Sequence, residues 1–227
     1  MRADHLSVCL RGIQILVLPL LLVAIQDLPA QESKALALME EAGARYEEVN
    51  GFCARFQQIL FVPLLDETTR SHGSLCQERP NLFSMRFSDP EGDLLVADGE
   101  WFWVYYPSSD PRQVLQFEME SRPGGVDFHR EFLSSPAEKY ELEYLGQEEL
   151  SGSSTHVISL VPLGPAGFEA ARIWLDSTRS LILQARVEME NGSVRTVSLS
   201  DVRLNPSPDP ARFRFTPPEG ALVIRRD

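Results

Sequence analysis

Leu94-Leu95-Val96-Ala97-Asp98-Gly99-Glu100-Trp101-Phe102-Trp103-Val104-Tyr105-Tyr106 is the stretch whose reading decides the fold class. An Asp-Gly dipeptide tolerates the positive φ values that a two-residue hairpin loop needs, and apolar runs flank it on both sides. The spacing therefore predicts a tight antiparallel hairpin of residues 94–97 with 100–106. Side chains alternate along a strand, which sets Leu95, Phe102, Val104 and Tyr106 on one face and Leu94, Val96, Trp101, Trp103 and Tyr105 on the other. Both faces must be covered. A sheet flanked on two sides satisfies this, and so does a curved sheet with a greasy interior. Periodicity does not separate a filled core from a hollow one.

Upstream, Phe83, Met85 and Phe87 alternate with Ser84, Arg86 and Ser88, giving one large apolar face and one polar face. Downstream, Asn191-Gly192 separates residues 181–190 from 193–199 and predicts a second hairpin. A two-residue loop there sets Glu188 opposite Arg195 and Met189 opposite Val194, a register on which charge and apolar pairing agree. Further strands are expected at 140–145, 155–161 and 171–176, and a last short one at 213–216 after the Pro-rich stretch 205–210.

Two segments follow a helical period. Leu36, Met39, Ala42/Gly43, Tyr46 and Val49 recur every three or four residues among glutamates, which predicts a long helix over 33–50. Ser33 is its expected N-cap and Asn50-Gly51 its stop. Between 122 and 139 the alternation lapses. Pro123-Gly124-Gly125 forms a joint, Val126, Phe128, Phe132 and Leu133 lie at near-helical spacing, and Ser135-Pro136-Ala137-Glu138 opens a second short helix.

Two of the three cysteines, Cys53 and Cys76, have their midpoint at Leu64-Leu65, inside the Pro63-to-Glu67 stretch read as a turn between strands 52–62 and 68–78. A hairpin centred there brings Cys53 opposite Cys76, and a cross-strand disulfide is expected, with Ala54 opposite Leu75 on the other face. A slip of one residue would instead leave two free buried thiols.

The third, Cys9, belongs to an N-terminal address. Arg2 and Arg11 precede the apolar run 13–25, and Leu28-Pro29-Ala30 follows it, the order of a secretory signal peptide over residues 1–30 with cleavage near Ala30. The run is shorter than the roughly 20 apolar residues a membrane span needs. Residues 31–227 then form a single domain in a compartment where disulfides are permitted.

With 43% hydrophobic and 24% charged residues in 227, the chain lies inside ordinary globular composition, which excludes disorder and a disulfide-dense scaffold. The 21 basic against 33 acidic residues leave a net charge of −12, opposite to what a nucleic-acid partner requires. His72, His129 and His156 are dispersed, and no zinc, nucleophile-elbow, phosphate-loop or dinucleotide pattern occurs. No catalytic residue, metal or cofactor is expected.

Arg79-Pro80-Asn81-Leu82-Phe83, the Asp98-Gly99 turn, Trp103-Val104-Tyr105-Tyr106-Pro107 and the close Phe213-Arg214-Phe215-Thr216-Pro217-Pro218-Glu219-Gly220 resemble the periplasmic outer-membrane lipoprotein carrier family, LolA. Phe52, Phe56 and Gln58 after the opening helix extend the likeness across nearly all of 31–227. The resemblance implies a mainly β fold with helices: an incomplete antiparallel β-barrel closed by a helical lid, with 122–139 as a lid insertion. It implies a monomeric periplasmic carrier that shields the acyl chains of lipoproteins between the two membranes. Its partners would be an inner-membrane lipoprotein-releasing ABC transporter and an outer-membrane lipoprotein receptor. On this resemblance Arg79 latches the lid through helix carbonyls, and Phe83 belongs to the apolar interior. Met85, Phe87, Leu95 and Phe102 share the expected acyl-binding face. The Cys53/Cys76 pair and Pro123-Gly124-Gly125 depart from the family pattern. No cysteine stands just after the apolar run, which favours the soluble carrier over its lipid-anchored receptor relative. A lipid- or lipoprotein-sensing regulator built on the same barrel is the alternative, and a secreted hydrolase with a nucleophile assembled from distant residues is a third.

Overall fold

In a computed structural model, residues 28–119 and 128–226 are described. The N-terminal run 1–27 and the joint Pro123-Gly124-Gly125 lie outside them. A helix, α1 (Leu28–Glu47), is followed by β1 (Gly51–Val62), β2 (Glu67–Glu78), β3 (Leu82–Asp89), β4 (Glu91–Asp98), β5 (Trp101–Tyr105) and β6 (Gln113–Glu118). Two short helices come next, α2 (Phe128–Leu133) and α3 (Pro136–Lys139). The chain closes with β7 (Tyr140–Leu150), β8 (Ser153–Pro162), β9 (Phe168–Asp176), β10 (Ile182–Met189), β11 (Val194–Leu204) and β12 (Leu222–Arg226).

All twelve strands join one sheet in the order β12-β6-β5-β4-β3-β2-β1-β11-β10-β9-β8-β7. Neighbours are antiparallel except β12, which runs parallel to β6. β12 and β7 do not pair with each other, so the barrel is incomplete. α1 packs against β7, α2 and α3 on the concave side and buries Ala35, Met39, Ala42 and Tyr46 there. That stripe differs from the expected one by a single position, Ala35 replacing the half-buried Leu36.

Ser33 is not the cap. It lies within α1, where its Oγ donates back to the carbonyl oxygen of Ala30 at 3.1 Å, a bond a mid-helix serine can make without ending the helix. Nor does Gly51 stop the helix, which ends at Glu47. Gly51 opens β1, and a Cβ there would stand 2.5 Å from the Gln77 carbonyl oxygen, so close strand approach demands the glycine.

The hairpin signals hold, with changes of register. β1 and β2 pair about the expected turn, with Cys53 facing Cys76 and Ala54 facing Leu75, and the two cysteines are disulfide-bonded. In the Asp98-Gly99 hairpin, Ala97 faces Phe102 and not Glu100. Asp98 Oδ1 accepts from the amides of Glu100 and Trp101, which moves the turn one residue on and shifts the register by two. An even shift leaves every side chain on its predicted face.

The Asn191-Gly192 hairpin corrects the prediction more deeply. Val187 faces Arg195 and Glu188 faces Val194, one residue away from the charge-matched register. Met189 and Ser193 are joined by a backbone hydrogen bond around a three-residue loop in which Gly192 has φ +77°. This is the type I turn plus left-handed glycine of a bulged hairpin, so Gly192 is spent on the bulge and the strands slip by one. Glu188 pairs with Arg186 on its own strand instead.

The expected strand at 213–216 is also absent. Pro210–Phe213 forms a single 3-10 turn capped by Asp209, and the final strand is β12, further on. Residues 205–217 run over the convex face. Phe213 is buried on the Cys53–Cys76 disulfide and Leu82, and Phe215 lies against Trp103 and Tyr105 at ring separations of 5.8 and 5.4 Å. Arg86 Nη2 tethers the segment by donating to the carbonyl oxygens of Arg212 and Arg214. Both faces of β5 are apolar because this tail covers one and the interior lies beneath the other.

Candidate functional site

The concave face is built from rungs of facing residues. Ala54, Leu75, Met85, Leu95, Val104 and Leu115 form one continuous row across β1 to β6. Phe83, Ala97, Phe102 and Phe117 form a second. Such rows arise because period two holds at these rungs through five successive registers, the one-residue slips at His72/Gly73 and Arg86/Ser88 lying beyond them. Phe83, Met85 and Phe102 are each under a tenth exposed.

These side chains do not fill the space they surround. A cavity of about 980 Å³ lies between the sheet and the helices, at the upper end of what small-molecule sites offer. Phe83, Met85, Leu95 and Phe102 line it, four of the five residues expected on an acyl-binding face. Phe87, the fifth, shares their face but does not border the cavity. It packs edge-on against Phe56 at 5.0 Å and Tyr106 at 6.0 Å, filling one end of the sheet's curve. Gly73 lies between Phe56 and Phe87 in the register, and a Cβ there would stand 2.0 Å from the Arg86 carbonyl oxygen.

The opposite wall comes from the second half of the chain. Phe168, Val187, Met189, Val197 and Leu199 line the cavity from β9, β10 and β11. Sequence reasoning missed them, although alternation at 187/189 and 197/199 was available once the hairpin register was right. Phe132 of α2 closes the roof and meets Phe168 at a ring separation of 6.1 Å. The cover is fastened by Glu131, whose carbonyl oxygen accepts from Lys139 Nζ at 2.8 Å and Tyr140 Oη at 3.0 Å, while its carboxylate accepts from the same hydroxyl. Burial and then the Glu131 charge push the Tyr140 phenol well up, so it stays a donor. A Cβ on Gly43 would stand 3.1 Å from the Leu133 carbonyl oxygen, so the glycine lets α1 and α2 pack closely there.

Arg79 stands outside the cavity in the turn between β2 and β3. Its Nη2 donates to the Tyr46 carbonyl oxygen at 2.9 Å, and its Nη1 donates to Glu47 Oε2 at 2.7 Å and to the Glu47 carbonyl oxygen at 3.5 Å. The guanidinium lies 4.5 Å from the Tyr46 ring centre. Its fork thus meets the last carbonyls of α1, which have no partner within the helix and carry the negative end of its dipole. The helix whose end it meets through these bonds is α1.

An open β-sheet curled round an apolar cavity, with helices over the opening, defines a protein that can shield a hydrophobic guest. Residues 47–216 match the family model "Outer membrane lipoprotein carrier protein LolA", and the chain belongs to that family. It is 31% identical over 160 residues to the outer-membrane lipoprotein carrier protein of Halorhodospira halophila, covering 69% of this chain and 71% of that one. With the carrier of Nitrosomonas europaea it shares 27% identity over 224 residues, covering 97% and 95%. Among solved structures, an uncharacterized conserved protein from Thermus thermophilus superposes with a TM-score of 0.51 at 15% identity, over 86% of this chain and all of the other, which speaks to the fold alone. Membership makes the chain a periplasmic lipoprotein carrier without catalytic function, whose cargo is lipoprotein and whose partners are membrane-associated.

Proposed function

We propose that the cavity takes the acyl chains of lipoproteins and that the chain shuttles them from the inner to the outer membrane. The observation that carries this reading is the 980 Å³ apolar space lined by Phe83, Met85, Leu95 and Phe102. At about 0.8 kcal/mol per buried methylene, one long acyl chain avoids water by roughly 10 kcal/mol. Only an enclosed greasy space supports such a guest through an aqueous compartment, and release requires that space to open. Arg79 is the latch in this scheme, because it ties the C-terminal end of α1 to the sheet through Tyr46 and Glu47. An inner-membrane lipoprotein-releasing ABC transporter loads the carrier, and an outer-membrane lipoprotein receptor unloads it.

The deciding experiment is purification of the chain from the periplasm of cells expressing an acylated lipoprotein. Recovery of that lipoprotein with the carrier, and its loss when the acylated cysteine of the cargo is replaced, is the expected result. Recovery that ignores the cargo's acylation would overturn the reading.

A further inference from the structure

The wall formed by β10 and β11 is apolar until it reaches Arg195. Arg195, Val197 and Leu199 form one row on β11 and all border the cavity. Arg195 faces Leu60 on β1 and Val187 on β10, both apolar. It is there because the three-residue loop at Gly192 slips the hairpin by one and removes Glu188 from the position opposite it.

Among the described residues Arg195 has no ion pair. The nearby carboxylates have other partners. Asp93 accepts from the amide and hydroxyl of Ser108, and Glu188 pairs with Arg186. Glu131 and Glu138, which also border the cavity, belong to the helical cover. Beside Arg195 the cavity is lined by Gln58 and by Tyr106, which at 37% exposed marks an open end. Burial raises the Tyr106 phenol pKa while the Arg195 charge opposes that rise, so the two side chains share one electrostatic neighbourhood. Arg195 is itself exposed, so its guanidinium, without an ion pair among the described residues, stands as a positive charge at the mouth of an oily cavity in a chain of net charge −12.

We propose that Arg195 receives the anionic headgroup of an amphiphile, carboxylate or phosphate, whose acyl tail lies in the cavity. This rests on the acyl-binding reading above and adds a chemical class of ligand to it. The planar fork of arginine suits both oxyanions, and the apolar row behind it takes the tail.

The test is fluorescence titration of the full chain with cis-parinaric acid and with its methyl ester, at a pH where the acid is ionised. Arg195→Gln is expected to weaken binding of the acid about fivefold and to leave the ester unchanged, with Arg195→Lys recovering part of the loss and added salt reducing the difference. Equal weakening of both probes, or of neither, overturns the assignment while the acyl-binding reading stands. Failure of both probes to bind the unsubstituted chain overturns that reading and the inference with it. Competition by oleate and by lysophosphatidylglycerol separates the two headgroups, since the preferred one loses its advantage in Arg195→Gln. If neither does, the assignment falls.

Discussion

Arg79 donates to the carbonyl oxygen of Tyr46 at 2.9 Å while its guanidinium lies 4.5 Å from the ring of the same residue. One side chain thereby holds the end of α1 by backbone and by ring, across 33 residues of sequence. Replacing it should free the helix before it harms the sheet. In Arg79→Leu, amide exchange of residues 42–47 is expected to quicken by roughly tenfold, in keeping with about 1.5 kcal/mol for hydrogen bonds from a charged donor, while β1 and β2 stay protected. Hydrogen–deuterium exchange reads this directly. Unchanged exchange in α1 would remove Arg79 from the latch.

Phe83 borders the cavity and is only 9% exposed. In Phe83→Glu a carboxylate enters an apolar wall, so loading with acylated protein should be lost. Ile59, 41% exposed on the other face of β1, is the control, and Ile59→Glu should load normally. Co-purification of cargo compares the two. Loss in both variants would point to general damage and not to the cavity.

Cys53 and Cys76 are 23 positions apart and close the β1–β2 hairpin on the convex side. A loop of that length makes the crosslink worth about 3 kcal/mol through the unfolded chain. Replacing both cysteines with serine should lower the melting temperature by roughly 6–12 °C for a domain of this size. Calorimetry with and without reductant checks this, and reductant should have no effect on the double variant.

Asp176 predicts an acid-side dependence. Burial acts to raise its carboxyl pKa, but hydrogen bonds from the amides of Thr178 and Arg179, and from the Arg179 guanidinium, outweigh burial and hold it below the usual range. A carboxyl depressed in the fold stabilises fully above its unfolded pKa of about 4 and loses that contribution as pH falls through the folded value. Urea midpoints should therefore drop more steeply below about pH 4 in the unsubstituted chain than in Asp176→Asn. Parallel slopes would exclude this carboxyl.

How much of this was legible in the residues divides along physical lines. The Cys53–Cys76 register could be read because the turn was short, symmetric and flanked by a single pair. The row through Met85 and Leu95 could be read because an even shift of register does not change faces. The Asn191-Gly192 hairpin misled, since the dipeptide serves two-residue and three-residue loops alike and only the second turns Arg195 inward. β12 escaped notice because its partner β6 is remote in sequence and it joins in parallel, without a turn to announce it. Arg79 was recognisable through its motif, but which helix it grips depends on where α1 ends, and that is a tertiary fact.

The unjoined margins at β7 and β12 have a mechanical consequence. A closed cylinder has its girth set by strand number and stagger, and widening it means breaking a ladder. Here no strand pairing crosses the seam among the described residues, so the margins can part by flexing the sheet with every inter-strand bond kept.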